Sequence, residues 1–253
     1  FGKIVVEPGA VLYLALEDTF RRLQQRLITM TADGGVASPD LHLYTEWPHM
    51  DADGLEMLEE KIKSIPNLRL VIIDTLAKFK PPKPKNMTLY DFDYSVVSRI
   101  TQVAQNNNVC IIIVHHMRKM ESEDRFDDIS GSFGVTGAAD ATALLLRTIG
   151  QADAELRING RDLEPEEIAL KFDSQYLSWN IIGKMDDILS TDNKQKVFTA
   201  IHQSSEPITP KQVAEKTRIH QKYAQRLMVQ LVKEGNLKKV GHGKYKVPTI
   251  MEG

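Results

Sequence analysis

Three apolar runs in this sequence each stop at a pair of polar residues. Val11–Leu16 ends at Glu17-Asp18, Leu70–Ile73 at Asp74-Thr75, and Val109–Val114 at His115-His116. Short unbroken apolar runs are typical of strands buried on both faces of a sheet. In one parallel sheet, all three would deliver their polar ends to the same edge. Ligands of open α/β sheets bind beyond that edge, at the carboxyl ends of the strands. Every strand must end on something polar, so one such ending says little. Three endings that carry a carboxylate, a carboxylate with a hydroxyl, and an imidazole pair form a set capable of chemistry.

Asp74, after its apolar run, has the Walker B arrangement: a strand-end carboxylate serving Mg²⁺ near the phosphates of a nucleotide, with Thr75 beside it. A second carboxylate on a neighbouring strand can polarise an attacking water, and Glu17 fits that role. His115 or His116 can donate a hydrogen bond toward a γ-phosphate. Two His with two carboxylates also raise a transition-metal site. Against it, adjacent residues on a strand point to opposite sides, and no His-x-x-x-His helix spacing occurs.

The elements between these runs alternate in period. A helix is expected after Thr19, with Phe20, Leu23, Leu27 and Met30 on one face. A short strand is expected at 41–44, and amphipathic helices at 53–65 and 89–106. Lys78–Lys85, rich in Lys and Pro, reads as an extended, exposed loop. Further strands are expected at 141–147, 154–158, 168–172 and 176–179, toward the sheet edge. The expected fold class is α/β: a mostly parallel sheet with helices on both faces.

The order of these features resembles the RecA-like ATPases, and among them the plasmid RepA-type hexameric replicative helicases. It runs through Glu17-Asp18, Asp74-Thr75, His115-His116-x-Arg118-Lys119, Ser130-Gly131-Ser132 and Ala138-Ala139-Asp140, over about residues 10–180. The resemblance implies that Glu17 activates water, Asp74 serves Mg²⁺, and His115 or His116 senses the γ-phosphate of ATP. It also implies a loop over 117–133 facing DNA, with Arg118 and Lys119 on its phosphates.

The sequence departs from the family pattern in two places. No Gly-x-x-x-x-Gly-Lys-[Ser/Thr] occurs. In the family this P-loop precedes the strand matching Val11–Leu16, so the chain is expected to be a piece of a longer protein. Ser130 also stands where the RepA-like pattern has Arg. A finger acting on a neighbouring subunit would then come from Arg161, in the Asn159-Gly160-Arg161-Asp162 turn, or from Arg147. The plainer reading of Arg161 is a surface turn residue paired with Asp162 or Glu164.

The last part of the chain has a different character. Residues 190–253 hold 12 Lys+Arg against 5 Asp+Glu, a balance of +7, and the rest of the chain is at -9. Helices are expected at 193–203, from Thr209-Pro210, and at 223–233, with a hairpin at 237–247. Three helices and a basic hairpin resemble a winged helix-turn-helix. In the DNA-binding reading, Lys222 and Arg226 approach a groove, with Gln221 and Gln225 beside them. Lys238, Lys239, Lys244 and Lys246 then approach phosphates. The expected organisation is a RecA-like core at 1–182, a linker at 183–191 and the winged helix at 192–253.

Composition bounds the class. With 42% hydrophobic and 26% charged residues and a net charge of -2, a disordered chain is excluded. One Cys excludes a disulfide framework and points to a reducing, cytoplasmic setting. The expected function is an ATP- and Mg²⁺-dependent DNA motor or loader, a homo-oligomeric ring with ATP between subunits. The rival is a non-catalytic DNA-binding adaptor with a degenerate ATPase-like body.

Overall fold

Apolar runs alternating with amphipathic stretches build a parallel sheet flanked by helices. The computed structural model describes residues 5–31, 37–116, 134–147, 152–241 and 243–248. The elements of the sheet region are β1 (Ala10–Ala15), α1 (Phe20–Met30), β2 (Leu41–Tyr44), α2 (Leu55–Ser64), β3 (Leu68–Asp74), α3 (Leu76–Phe79), α4 (Leu89–Asn107) and β4 (Cys110–Val114). The strand order is β2-β1-β3-β4, all parallel. Leu12, Leu14, Val71 and Ile73 are fully buried and pack in one cluster with Leu58 and Ile62 of α2 and Val96 and Ile100 of α4. Each such side chain contributes about 1.5–3 kcal/mol on burial.

Local chemistry sets the helix limits. The Thr88 hydroxyl accepts from the Asp91 amide at the start of α4, and Asn108 closes the helix in the left-handed conformation at φ 51. Between them Phe92, Val96, Val97, Ile100 and Val103 recur at helical spacing and are buried.

After β4 come α5 (Gly134–Ala138), β5 (Ala141–Arg147), β6 (Ala154–Gly160), β7 (Leu163–Asp173) and β8 (Ser178–Lys184). The last four form their own sheet in chain order. Then follow α6 (Met185–His202), α7 (Pro210–Thr217), α8 (Gln221–Lys233), β9 (Lys238–Lys239) and β10 (Tyr245–Lys246), the last two antiparallel. Thr209 and Gln212 make a reciprocal capping box on α7, with Pro210 in its first turn. Val197, Ile201, Val213, Leu227, Met228, Leu231 and Tyr245 form a second core. By packing, the chain divides into two units: Phe1–Leu145 with Arg157–Glu166 and Phe172–Asn180, and Leu146–Leu156 with Glu167–Lys171 and Ile181–Gly253. Among the described residues, no helix is long and apolar enough to cross a membrane.

Five expectations are corrected. The later strands form a second sheet instead of extending the parallel one. β4 ends the described parallel sheet, so Cys110 and Ile112 are exposed despite their apolar run. Residues 183–191 are no loop: they finish β8 and begin α6, whose first turn holds Asp186 and Asp187, favourable at a helix N-terminus. The Lys/Pro segment is anchored at its start, because Phe79 is buried and Lys80 Nζ meets the buried Asp93 carboxylate at 2.9 Å. On α1 only Leu23 is buried, while Phe20 and Met30 are exposed.

α5 touches α4 through glycine. A Cβ at Gly134 would overlap the Tyr90 carbonyl oxygen and lie 2.9 Å from the Tyr94 nitrogen, both backbone atoms. Gly134→Ala is therefore expected to cost about 1–3 kcal/mol through forced separation of the two helices. Chemical denaturation of the two proteins measures this; an unchanged midpoint would show that α5 moves freely off α4.

Candidate active site

Strand register brings the polar endings together. Ala15 of β1 pairs with Asp74 of β3, and Asp74 pairs with Val114 of β4. Glu17, Thr75 and His116 therefore lie one or two residues beyond a common line. The Thr75 hydroxyl donates to Glu17 Oε1 at 2.9 Å, and His116 Nε2 lies 3.3 Å from Glu17 Oε2. One carboxylate is thus held at both oxygens by the ends of two neighbouring strands. Thr75 is fully buried, whereas the Glu17 side chain is 39% exposed.

These contacts hold the Glu17 carboxyl below the usual carboxylate range. The Thr75 hydrogen bond is the largest cause and the His116 contact the next, against a smaller opposing effect of desolvation. Because the folded pKa is lowered, the contacts stabilise the fold above the ordinary carboxylate pKa, and that contribution is lost as pH falls through the lowered value. At neutral pH Glu17 is an ionised acceptor open to solvent.

Asp74 has a partner that the sequence reading missed. Tyr13, on β1, donates its hydroxyl to Asp74 Oδ2 at 2.8 Å. Burial, then this hydrogen bond and the Asp74 charge, push the Tyr13 phenol up to about 12. The available signal was a single polar atom within an otherwise apolar strand. The Asp74–Thr75 peptide is cis. Glu17 and Asp18 separate in role: Asp18 turns to α1, where Arg22 Nε lies 3.1 Å away and the Arg26 guanidinium also binds it.

The two His also separate. His115 is half-buried and His116 exposed, as consecutive extended residues must face opposite ways, and His116 is the one at Glu17. No group of three or more His, Cys, Asp or Glu able to hold a metal occurs among the described residues, so the transition-metal alternative has no ligand cage there. A Mg²⁺ site needs less: one carboxylate such as Asp74, with phosphate and water completing the shell.

Arg161 occupies the β6–β7 turn. Its Nη2 donates to the Gly137 carbonyl at 3.4 Å, and its Nη1 lies 3.6 Å from Asp140 Oδ1, so the expected pairing with Asp162 or Glu164 is replaced by Asp140. No contact among the described residues ties Arg161 to Glu17. Arg147 is exposed at the end of β5. Arg118, Lys119 and the rest of 117–133 lie outside the described residues.

In the second unit, Lys222, Gln225, Arg226, Val229, Gln230 and Lys233 line one open groove along α8. That helix carries no acidic residue. Lys238 and Lys239 are exposed on β9, Lys246 on β10 and Lys244 just before it; Lys238 and Lys246 are direct cross-strand partners.

The parallel sheet with its site edge matches known folds. A solved helicase-type ATPase domain is similar over 68% of this chain and 74% of its own, with TM-score 0.55 and 16% identity. A DnaB-like replicative helicase, described with its interactions with primase, is similar over 68% of this chain and 51% of its own, with TM-score 0.54 and 17% identity. The fold is RecA-like. A family model described as an AAA domain matches residues 1–122, the stretch that contains β1 to β4 and the whole Glu17–Thr75–His116 cluster. No curated protein matches the chain in sequence. The RecA-like sheet explains why the three endings converge, since its parallel strands all finish at one edge.

Tyr13→Phe tests the Asp74 contact. Phenolate absorbance of the wild type minus that of the variant is expected to titrate near 12, where an ordinary tyrosine titrates near ~10. Because this pKa is raised on folding, its stabilisation is whole below the ordinary value and lost as pH rises through 12. A difference titration at the ordinary value would remove the bond.

Proposed function

We propose that the intact protein is an ATP- and Mg²⁺-dependent, DNA-processing ATPase of the RepA-type helicase or loader kind. It would work as a homo-oligomeric ring with ATP between subunits. The observation that supports this best is the Glu17 carboxylate, held at both oxygens by Thr75 and His116 yet open to solvent at the carboxyl edge of the sheet. A bound Mg²⁺ supplies charge neutralisation at the phosphates, and Asp74 is the residue that would serve it.

In this reading Glu17 aligns the water that attacks the γ-phosphate. Its lowered pKa makes it a weak proton acceptor and a good orienting one, because it is fully ionised at neutral pH. Thr75 fixes the carboxylate plane. His116 couples the site to the chain that follows it: once a proton reaches Glu17, the carboxylate loses its charge and its hold on His116 weakens. Residues 117–133, with Arg118 and Lys119, begin immediately after His116 and would take the DNA strand.

The second unit would bind DNA as a winged helix, with Lys222 and Arg226 in a groove and Lys238, Lys239, Lys244 and Lys246 on phosphates. The pairing of Lys238 with Lys246 supports this, because like charges directly opposite on a hairpin are unfavourable until an anion arrives.

Two experiments test the reading. In the full-length protein, Glu17→Gln is expected to cut DNA-stimulated ATP turnover by about 10²–10⁴-fold while sparing nucleotide binding. Unchanged turnover would sink the assignment; no turnover in the wild type, with DNA binding retained, would leave an adaptor. Lys238→Ala/Lys246→Ala is expected to weaken duplex binding evenly across sequences and to reduce the salt slope by about two. An unaltered slope would remove the wing from the interface.

A further inference from the structure

Tyr90 and Tyr94 sit one turn apart on α4 with their rings stacked, centroids 6.0 Å apart and planes at 20°. They are 46% and 42% exposed. The buried side of α4 is made by Phe92, Val96, Val97, Ile100 and Val103, so core packing does not require this pair. Aromatic side chains of this size normally bury most of their area. Here α5 fixes them from one side only: a Cβ at Gly137 would stand 3.8 Å from Tyr90 Oη and 3.8 Å from Tyr94 Cδ2.

Cations flank the pair at both ends. The guanidinium of Arg161 reaches the carbonyl of the same Gly137 at 3.4 Å. Lys83 Nζ donates to the carbonyls of Pro84 and Met87, which holds its charge at the N-terminal end of α4, within a turn of Tyr90. That helix end carries a positive partial charge of its own. Lys85 is exposed in the same loop. The nearby carboxylates are engaged: Asp91 accepts from the Thr88 hydroxyl, Asp93 is buried against Lys80, and Asp140 lies 3.6 Å from Arg161.

We propose that Tyr90 and Tyr94 form a stacking platform for the bases of single-stranded nucleic acid, with Arg161, Lys83 and Lys85 on the adjoining phosphates. Flat ring faces between fixed cations suit a strand whose bases are open, since every base has a π-face and every linkage an anion. A duplex hides those faces within its stack, so the platform selects single strands. The inference rests on the DNA-processing reading and deepens it by naming the strand that the first unit holds.

The test is fluorescence anisotropy of the full chain with labelled oligothymidylate of about 20 nucleotides, at low salt, beside a duplex of equal length. Tyr90→Ala/Tyr94→Ala is expected to weaken single-strand binding by about tenfold or more and leave duplex binding unchanged. Tyr90→Phe/Tyr94→Phe keeps the ring faces and is expected to bind within about twofold of wild type. A Phe pair as weak as the Ala pair would overturn stacking. Wild-type single-strand affinity in the Ala pair would overturn the platform, and so would loss of self-association alone, which would give the patch to a second copy. Wild-type protein that binds duplex only overturns this inference and spares the DNA-processing reading. Binding to neither overturns both.

Discussion

Every contact in the candidate site depends on three parallel strands ending level. Ala15, Asp74 and Val114 are register partners across β1, β3 and β4. A slip of one residue would turn each following side chain to the other face. Glu17 would then lose Thr75, and His115 would stand where His116 stands. The register is enforced by burial: Leu12, Leu14, Val71 and Ile73 are inaccessible to solvent, and a slip would exchange them for their neighbours. The hydrophobic effect therefore sets a geometry of hydrogen bonds that are each worth only about 0.5–1.5 kcal/mol net.

The same register explains how neighbouring carboxylates can coexist. Glu17 and Asp74 project from adjacent strands, and like charges at close range disfavour ionisation. Each has its own donors. Thr75 and His116 serve Glu17, and Tyr13 serves Asp74. Asp18 is drawn aside by Arg22 and Arg26 of α1. The negative charge at the edge is thus distributed over separate partners and remains available to a cation.

The strands and their polar endings were legible because both are local signals: apolar runs, then a carboxylate or imidazole. The capping of α4 by Thr88 and of α7 by Thr209 was legible for the same reason. What escaped was decided at long range. Cys110 to Val114 has the composition of a buried strand, and only its place at the end of the described sheet exposes it. Lys80 looks like one cation of an exposed loop until α4 brings Asp93 to it. Tyr13 reads as one more apolar residue until β3 places Asp74 beside it. The segment 183–191 is different: Asp186 and Asp187 before an apolar-periodic stretch are a local helix-start signal, and the composition change at the same place masks it.

Charge segregation along the chain, -9 before residue 190 and +7 after it, would by itself confine a nucleic acid to the second part. Screening argues otherwise. At physiological salt, charges farther apart than about 8 Å interact weakly, so a phosphate responds to the side chains it touches and not to the sum over a domain. In the first unit most acids near the tyrosine pair are already engaged, Asp93 by Lys80 and Asp91 by Thr88, while Lys83 donates to neutral carbonyls. The local balance at the head of α4 is therefore positive inside an acidic part of the chain. A strand held there and a duplex held on α8 would meet different physics: stacking with few charges in one place, phosphate neutralisation in the other. The first should depend weakly on salt and strongly on ring planes, and the second the reverse.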